Sequence, residues 1–210
     1  MNTVYTKSFN PPPFDKEEIL RYAGAKESLP EIEKLIDECI SEAEDKLTYK
    51  VCYGYFPLSF MQVKSEKLEK NLSGCRSFIL FAATVGIEID RLIARYGKIS
   101  PAKALIFQAI GAERIEKLCD EFCSFVKAEY GNIKPRFSPG YGDLPLEVQK
   151  DFFRVLEPSR KIGLSLNESM LMTPSKSVTA IIGITDEKQK IKKNSCDKCS
   201  KTDCLYRRKV

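Results

Sequence analysis

The spacing of apolar residues along the chain predicts several helices. Apolar residues recur every three or four positions in residues 32–47 and, over a longer stretch, in residues 101–130, as on the buried face of a helix. Ser28 and Glu31 have the spacing of a capping box ahead of the first helix, and Gly131 suits the residue that ends the second. Shorter helices are expected at residues 15–23, 87–96 and 146–156.

Extended segments are expected between these helices. Residues 48–60 place tyrosine or valine at every second position, which is typical of a half-buried strand. Residues 75–85 are mostly apolar and indicate a buried central strand. Residues 166–172 and 178–184 form two further extended runs, and Pro174 and Ser175 between them predict a hairpin. Helices and strands therefore mix along the chain, which indicates an α+β (mixed α/β) protein.

The composition excludes several kinds of chemistry. The 210 residues include no histidine, so Ser-His-Asp and Cys-His catalysis are excluded for this chain alone. A histidine-ligated zinc or haem site is excluded for the same reason. The fractions of hydrophobic and charged residues, 43% and 30%, are ordinary for a globular protein. Any reaction must therefore use a cofactor, a partner, or the carboxylates, tyrosines and cysteines of the chain.

Charge and hydropathy point to a cytoplasmic protein. The net charge of +5 is spread along the chain up to residue 188, beyond which basic residues dominate. Because aromatic residues do not alternate with a basic stripe, nucleic-acid binding is not expected. The longest apolar run, residues 78–87, has about half of the ~20 residues that span a membrane. We expect one domain over residues 1–187 and a basic, cysteine-containing tail over residues 188–210.

The loop at residues 136–143 is the sharpest candidate for a binding site. Arg136 offers a planar guanidinium that suits a carboxylate, and Tyr141 offers a ring face and a hydroxyl group. Gly140 and Gly142 let the backbone approach a ligand closely. Local chemistry alone favours a tight connection between two helices over a binding site. By contrast, the paired carboxylates Glu113 and Glu116 have the pattern of a solvated helix face.

This loop belongs to a series of motifs that resembles the S-adenosylmethionine-binding activation domain of cobalamin-dependent methionine synthase. Arg136-x-x-x-Gly140-Tyr141 is similar to the ligand-binding signature of that family. Further matches follow in chain order at residues 144–149, 161–163, 166–174 and 177–178. Residues 80–86 are similar to the form found in stand-alone members. The resemblance covers roughly residues 15–185, and it implies a twisted, largely antiparallel sheet with surrounding helices.

The resemblance also implies roles for residues of the loop. Arg136 would bind the carboxylate of S-adenosylmethionine, the backbone around Ser138 and Gly140 would form hydrogen bonds with the ligand, and Tyr141 would complete the wall. No residue is assigned a catalytic role. The family usually has proline after the tyrosine, where this chain has Gly142. We therefore expect a loop that is freer before binding, at a cost in affinity.

The function that the resemblance implies is the reactivation of a methyltransferase of methionine biosynthesis. The chain would bind S-adenosylmethionine and support the reductive methylation of cob(II)alamin on a cobalamin-dependent methionine synthase encoded as a separate chain. That partner would hold the cobalamin, and a flavodoxin- or ferredoxin-type donor would supply the electron. The chain would thus be the activation subunit of an enzyme, without catalysis of its own in the absence of the corrinoid partner. An S-adenosylmethionine-binding regulatory module, or a reductive activator of another corrinoid methyltransferase, is the alternative.

The tail carries a second candidate site, formed by cysteines. Cys196, Cys199 and Cys204 lie within nine residues, and three thiolates at this spacing can bind zinc or an iron–sulfur cluster. A structural zinc would need a fourth ligand. A tail with unligated thiols is the alternative. The other cysteines lie at apolar positions of predicted helices and strands and are interpreted as core residues.

Overall fold

The computed structural model describes residues 3–10, 12–25 and 29–187. Within these residues the centre is a four-stranded antiparallel sheet, in the order β1 (Val4–Ser8), β2 (Lys50–Pro57), β3 (Cys75–Thr84) and β6 (Ser177–Thr185). Two short strands, β4 (Ser165–Leu166) and β5 (Met172–Thr173), pair with each other outside this sheet. The predicted fold class, with helices around a largely antiparallel sheet, is confirmed.

Seven helices accompany the sheet in the described residues. They are α1 (Lys16–Tyr22), α2 (Pro30–Ala43), α3 (Glu66–Leu72), α4 (Glu88–Ile99), α5 (Pro101–Tyr130), α6 (Gln149–Leu156) and α7 (Pro158–Ile162). The long helix α5 begins where the Ser100 side chain accepts a hydrogen bond from the Lys103 N–H, and it ends at Gly131, whose φ is 93°. Neither α5 nor any other helix of the described residues is both long and apolar enough to cross a membrane.

The sheet is buried on both faces, which explains the mostly apolar sequence of β3. Ile79 and Phe81 pack in one core with α1, α2, α4 and α5. Phe78 and Leu80, which alternate with them, pack in a second core with α3, α6 and α7. We call these two sides the α5 layer and the α6 layer. Because successive side chains of a strand point to opposite faces, a strand between two layers has no polar side.

The structure differs from the sequence prediction in several places. The predicted hairpin is wrong, because β6 pairs with β3 while the short strand β5 turns back onto β4. Strand β1 and the helices α3 and α7 were not predicted. Strand β1 has no buried side chain, and each of the two short helices buries only two residues, so none of them carries a clear apolar pattern. Ser28 of the predicted capping box lies outside the described residues. Helix α2 begins at Pro30, and the preceding Leu29 makes no side-chain cap.

Candidate functional site

Residues 132–137 run along the outer edge of β6 and position the predicted binding loop. Phe137 and Ile181 of β6 exchange two backbone hydrogen bonds, both of 2.9 Å. Because the backbone is extended here, neighbouring side chains point to opposite sides of the sheet. Arg136 therefore lies against α5, and Phe137 is buried in the core of the α6 layer. The loop that follows therefore starts at the edge of the sheet, between the α5 layer and the α6 layer.

Two carboxylates of α5 hold the Arg136 side chain. Its Nη2 lies 3.1 Å from Oε2 of Glu116 and 3.0 Å from Oδ1 of Asp120, and the side chain is 24% exposed. Burial opposes the charged form of the guanidinium, but the Cys119 thiol and the two carboxylates raise its pKa above the usual value. Arg136 therefore stays charged at physiological pH. Both bonds use Nη2, and the other N–H donors of the guanidinium take no part in them.

Glu116 and Asp120 also line a small pocket between α5 and the start of the chain. The cavity measures about 190 Å³, and its other lining residues are Asp15, Glu18, Tyr22, Glu113 and Lys117. Lys117 pairs with Asp15 at 3.2 Å. Burial works against the Asp15 carboxylate, but the Glu18 N–H and Lys117 lower its pKa below the usual value. Five of the seven lining residues are acidic. Each of these carboxylates is paired with a cation: Glu116 and Asp120 with Arg136, Glu113 with Arg114, Asp15 with Lys117 and Glu18 with Arg21.

Glu113 is not the solvated residue that its sequence pattern predicts. The side chain is 1% exposed and forms an ion pair with Arg114, which is fully buried. Arg114 also donates to the Pro12 carbonyl at 2.7 Å and to the Pro13 carbonyl at 3.0 Å. Two adjacent opposite charges on a helix look like surface residues in a sequence, because only the tertiary structure supplies the backbone segment that covers them.

The loop that carries Tyr141 folds back on itself. The Ser138 carbonyl accepts a 3.1 Å hydrogen bond from the Tyr141 N–H, and the Gly140 N–H donates to the Leu144 carbonyl at 2.9 Å. A ligand would therefore compete with bonds inside the loop for the Gly140 N–H. The Tyr141 ring packs edge-on against Phe137, with 5.4 Å between centroids, and Tyr141 is 67% exposed. Its outer ring face and hydroxyl group are accessible.

Gly142 adopts a conformation that proline cannot adopt. Its φ is 67°, whereas the proline ring holds φ near −65°. A Cβ atom at this position would lie 2.6 Å from Cδ of Lys67. A proline at this position would therefore require a different path of the loop from the one this chain adopts.

Asp143 anchors the loop to the N-terminus of α3, a role that the sequence did not indicate. Its carboxylate accepts a 2.5 Å hydrogen bond from the Ser65 hydroxyl and a 2.8 Å bond from the Glu66 N–H. The Ser65 hydrogen bond, with help from backbone N–H groups, lowers the pKa of Asp143 below its usual value. Ser65 itself caps α3. In the sequence, Ser65 and Glu66 could have marked the start of a helix, but no apolar run follows them.

The predicted site residues thus occupy one edge of the sheet in two groups. Arg136 joins the carboxylates of α5, whereas Ser138, Gly140 and Tyr141 form a loop on the α6 layer. Their roles in ligand binding remain predictions. The cysteines of the predicted metal site, Cys196, Cys199 and Cys204, lie outside the described residues. Inside those residues, no group of three or more cysteine or carboxylate side chains is arranged to hold a metal ion.

The five cysteines that the sequence assigns to the core are unpaired thiols, as expected. Cys39, Cys52 and Cys119 are buried, and Cys75 and Cys123 are partly buried. Burial raises the pKa of Cys39 to about 11 and that of Cys52 to about 12. None of these thiols is therefore set up as a nucleophile at neutral pH.

Fold and site together define a mixed α/β domain with an arginine–glycine–tyrosine loop beside an acidic pocket. Residues 120–209 match the family described as vitamin B12 dependent methionine synthase, activation domain. A solved structure of similar fold is the MetH reactivation domain bound to AdoHcy, with a TM-score of 0.61 and 17% identity over 90% of this chain and 80% of that chain. No curated protein matches the chain. The resemblance inferred from the sequence motifs is confirmed, and at this identity the structural likeness concerns the fold.

Proposed function

We propose that the chain binds S-adenosylmethionine beside Arg136 and uses it to reactivate a cobalamin-dependent methionine synthase. The observation that carries this proposal is the position of Arg136. Its guanidinium is mostly buried, stays charged, and lies beside a small acidic pocket at the start of the signature loop. The family match over residues 120–209 includes this arginine and loop, and the similar MetH domain is bound to AdoHcy.

The charges around the pocket suit the methionine part of the ligand. This part has a carboxylate, an ammonium group and a positive sulfonium centre. Arg136 supplies the donor for the carboxylate, and the carboxylates of the pocket, although each is paired with a cation, offer acceptors for the ammonium group. A cavity of about 190 Å³ is small for the whole ligand, because ligand sites usually measure roughly 300–1,000 Å³. The adenosine would therefore extend outwards, towards the exposed face of Tyr141.

The chemistry would come from the ligand, the electron donor and the partner, with this chain as the scaffold that orients them. When bound, S-adenosylmethionine supplies a methyl group whose C–S bond breaks, leaving the bonding pair on sulfur as S-adenosylhomocysteine. The partner would hold the cobalamin that accepts this methyl group, and a flavodoxin- or ferredoxin-type donor would supply the one electron that cob(II)alamin needs for the transfer. The tasks of this chain are to bind the zwitterion, keep its carboxylate on Arg136 and present the sulfonium outwards.

Titration calorimetry with S-adenosylmethionine tests the binding site. We expect the wild-type chain to bind, and Arg136→Ala to weaken binding by about 10- to 100-fold, since a hydrogen bond to a charged group contributes about 1.5–3 kcal/mol. Arg154→Ala is the matched control, because this arginine lies on α6 and pairs only with the exposed Asp151 among the described residues. Equal binding by wild type and Arg136→Ala would refute the site.

A methyl-transfer assay tests the function and separates it from the alternative. The chain is mixed with a methionine synthase that carries cob(II)alamin, S-adenosylmethionine and a chemical reductant, and methylcobalamin is followed by its absorbance. Formation of methylcobalamin that depends on Arg136 supports the proposal. Binding without methylcobalamin would instead favour a regulatory module or an activator of another corrinoid methyltransferase, which the same assay tests with such a partner.

We further propose that Cys196, Cys199 and Cys204 bind zinc or an iron–sulfur cluster. The support is the residue type and spacing alone, since soft thiolates select these metals. Metal analysis and a visible spectrum of anaerobically purified protein test it, with a triple Cys→Ser variant as the control. A protein without zinc or iron would leave the alternative of a tail with unligated thiols.

A further inference from the structure

The start of the chain forms one wall of the acidic pocket. Asp15, Glu18 and Tyr22 line the cavity from this side, opposite the residues of α5. Helix α1 has seven residues, and a helix this short does not persist in water without packing. The position of the wall must therefore be set by contacts with the rest of the protein.

Arg114 makes the most deeply buried of these contacts. Its guanidinium is fully buried and bonds both carboxylate oxygens of Glu113. It also bonds the carbonyls of Pro12 and Pro13, and it lies 4.1 Å from the centroid of the Phe14 ring. One side chain thus holds three consecutive residues of the chain immediately before the pocket wall.

Further hydrogen bonds connect this buried group to residues that line the pocket. Glu113 accepts a 3.3 Å hydrogen bond from the Asp15 N–H. Asp15 then caps α1 by accepting a 3.1 Å bond from the Glu18 N–H, and it pairs with Lys117 of α5. A continuous series of hydrogen bonds therefore joins the buried Arg114 to the residues that line the cavity. A buried ion pair contributes little net stability relative to apolar packing, so its main effect here is on geometry.

We propose that Arg114 is a positioning residue for the ligand, which acts by fixing residues 12–15 and, through them, the α1 wall of the pocket. This inference rests on the proposed binding of S-adenosylmethionine at the pocket. Arg114 does not touch the ligand. It determines whether Tyr22 and its neighbours lie where they can contact it.

A double-mutant cycle on S-adenosylmethionine affinity tests the inference. Arg114→Lys keeps the positive charge beside Glu113, but an ammonium group cannot reproduce the planar set of bonds to two carbonyls and a carboxylate. We expect it to weaken binding about tenfold. Tyr22→Ala should weaken binding in the wild-type background and have little further effect in the Arg114→Lys background. Arg136→Ala should cause the same fold-change in both backgrounds, because Arg136 is held by other residues.

Two measurements separate positioning from a general loss of structure. Hydrogen exchange should become faster in residues 16–22 of Arg114→Lys and remain unchanged in the centre of α5. Arg154→Lys, an exposed arginine with the same substitution, is the control for binding. If the wild type binds but Arg114→Lys binds equally well, or if Tyr22→Ala has the same effect in both backgrounds, the inference is wrong and the proposed function stands. If the wild type does not bind S-adenosylmethionine, both are wrong.

Discussion

Replacing Gly142 by alanine tests the conformation of the loop that carries Tyr141. With φ at 67°, an L-residue in this left-handed region is destabilised by roughly 1–2 kcal/mol. The added Cβ would lie 2.6 Å from Cδ of Lys67, but an exposed lysine side chain can move away at small cost. Alanine also restricts the unfolded chain, which returns about 0.4–1 kcal/mol. The expected net loss in the free energy of unfolding is about 1 kcal/mol.

Thermal unfolding followed by circular dichroism measures this loss. For a protein of this size, 1 kcal/mol corresponds to a fall in Tm of about 2–4 °C. Gly97→Ala is the matched control: Gly97 lies in α4, has no positive φ, and its added Cβ would meet no atom within 4 Å apart from its chain neighbours and the backbone of its own helix. It should raise Tm, because alanine stabilises a helix relative to glycine by roughly 0.5–1 kcal/mol. A shift in the same direction for both variants would refute the left-handed conformation of Gly142.

Three further predictions concern the core, the loop anchor and the thiols. Phe122→Ala should lower the free energy of unfolding by about 3–5 kcal/mol, measured in urea, since this fully buried ring contacts four other aromatic rings. Hydrogen bonding, mainly by Ser65, lowers the pKa of Asp143. The stability that this carboxylate contributes is therefore fully present above the pKa of an unfolded aspartate, and it is lost as the pH falls through the folded pKa. The stability difference between wild type and Asp143→Asn should therefore shrink from pH 6 to pH 2. Cys39 and Cys52 should react with a thiol reagent at pH 8 only as fast as the protein opens, because burial raises their pKa values to about 11 and 12.

Each of these predictions has a clear contrary outcome. A loss below 1 kcal/mol for Phe122→Ala would show that the ring is not packed in the core. A difference between wild type and Asp143→Asn that does not change with pH would show that the carboxylate is not bonded to α3. Cys39→Ser and Cys52→Ser variants identify the thiol that reacts, and immediate labelling of either cysteine in native protein would contradict its burial.

Much of the fold could be predicted because its elements have local signals. Helix α5 combines helical spacing of apolar residues with Ser100 and Pro101 at its start and Gly131 at its end. Strand β3 is recognisable because burial on both faces leaves no polar alternation. The motif from Arg136 to Tyr141 is also local in the chain, so its resemblance to a known family could be read directly.

The tertiary structure determined the features that depend on contacts between residues far apart in the chain. Strand β6 pairs with β3, about a hundred residues earlier, and a local turn signal after β5 cannot reveal that choice. The same holds for the Glu113–Arg114 pair, which is buried only because residues 12–15 cover it. Arg136 was found from the sequence, but its carboxylate partners on α5 and the adjacent pocket were not. Sequence patterns report the preferences of neighbouring residues, whereas the charges around a site are set by elements that meet only when the chain folds.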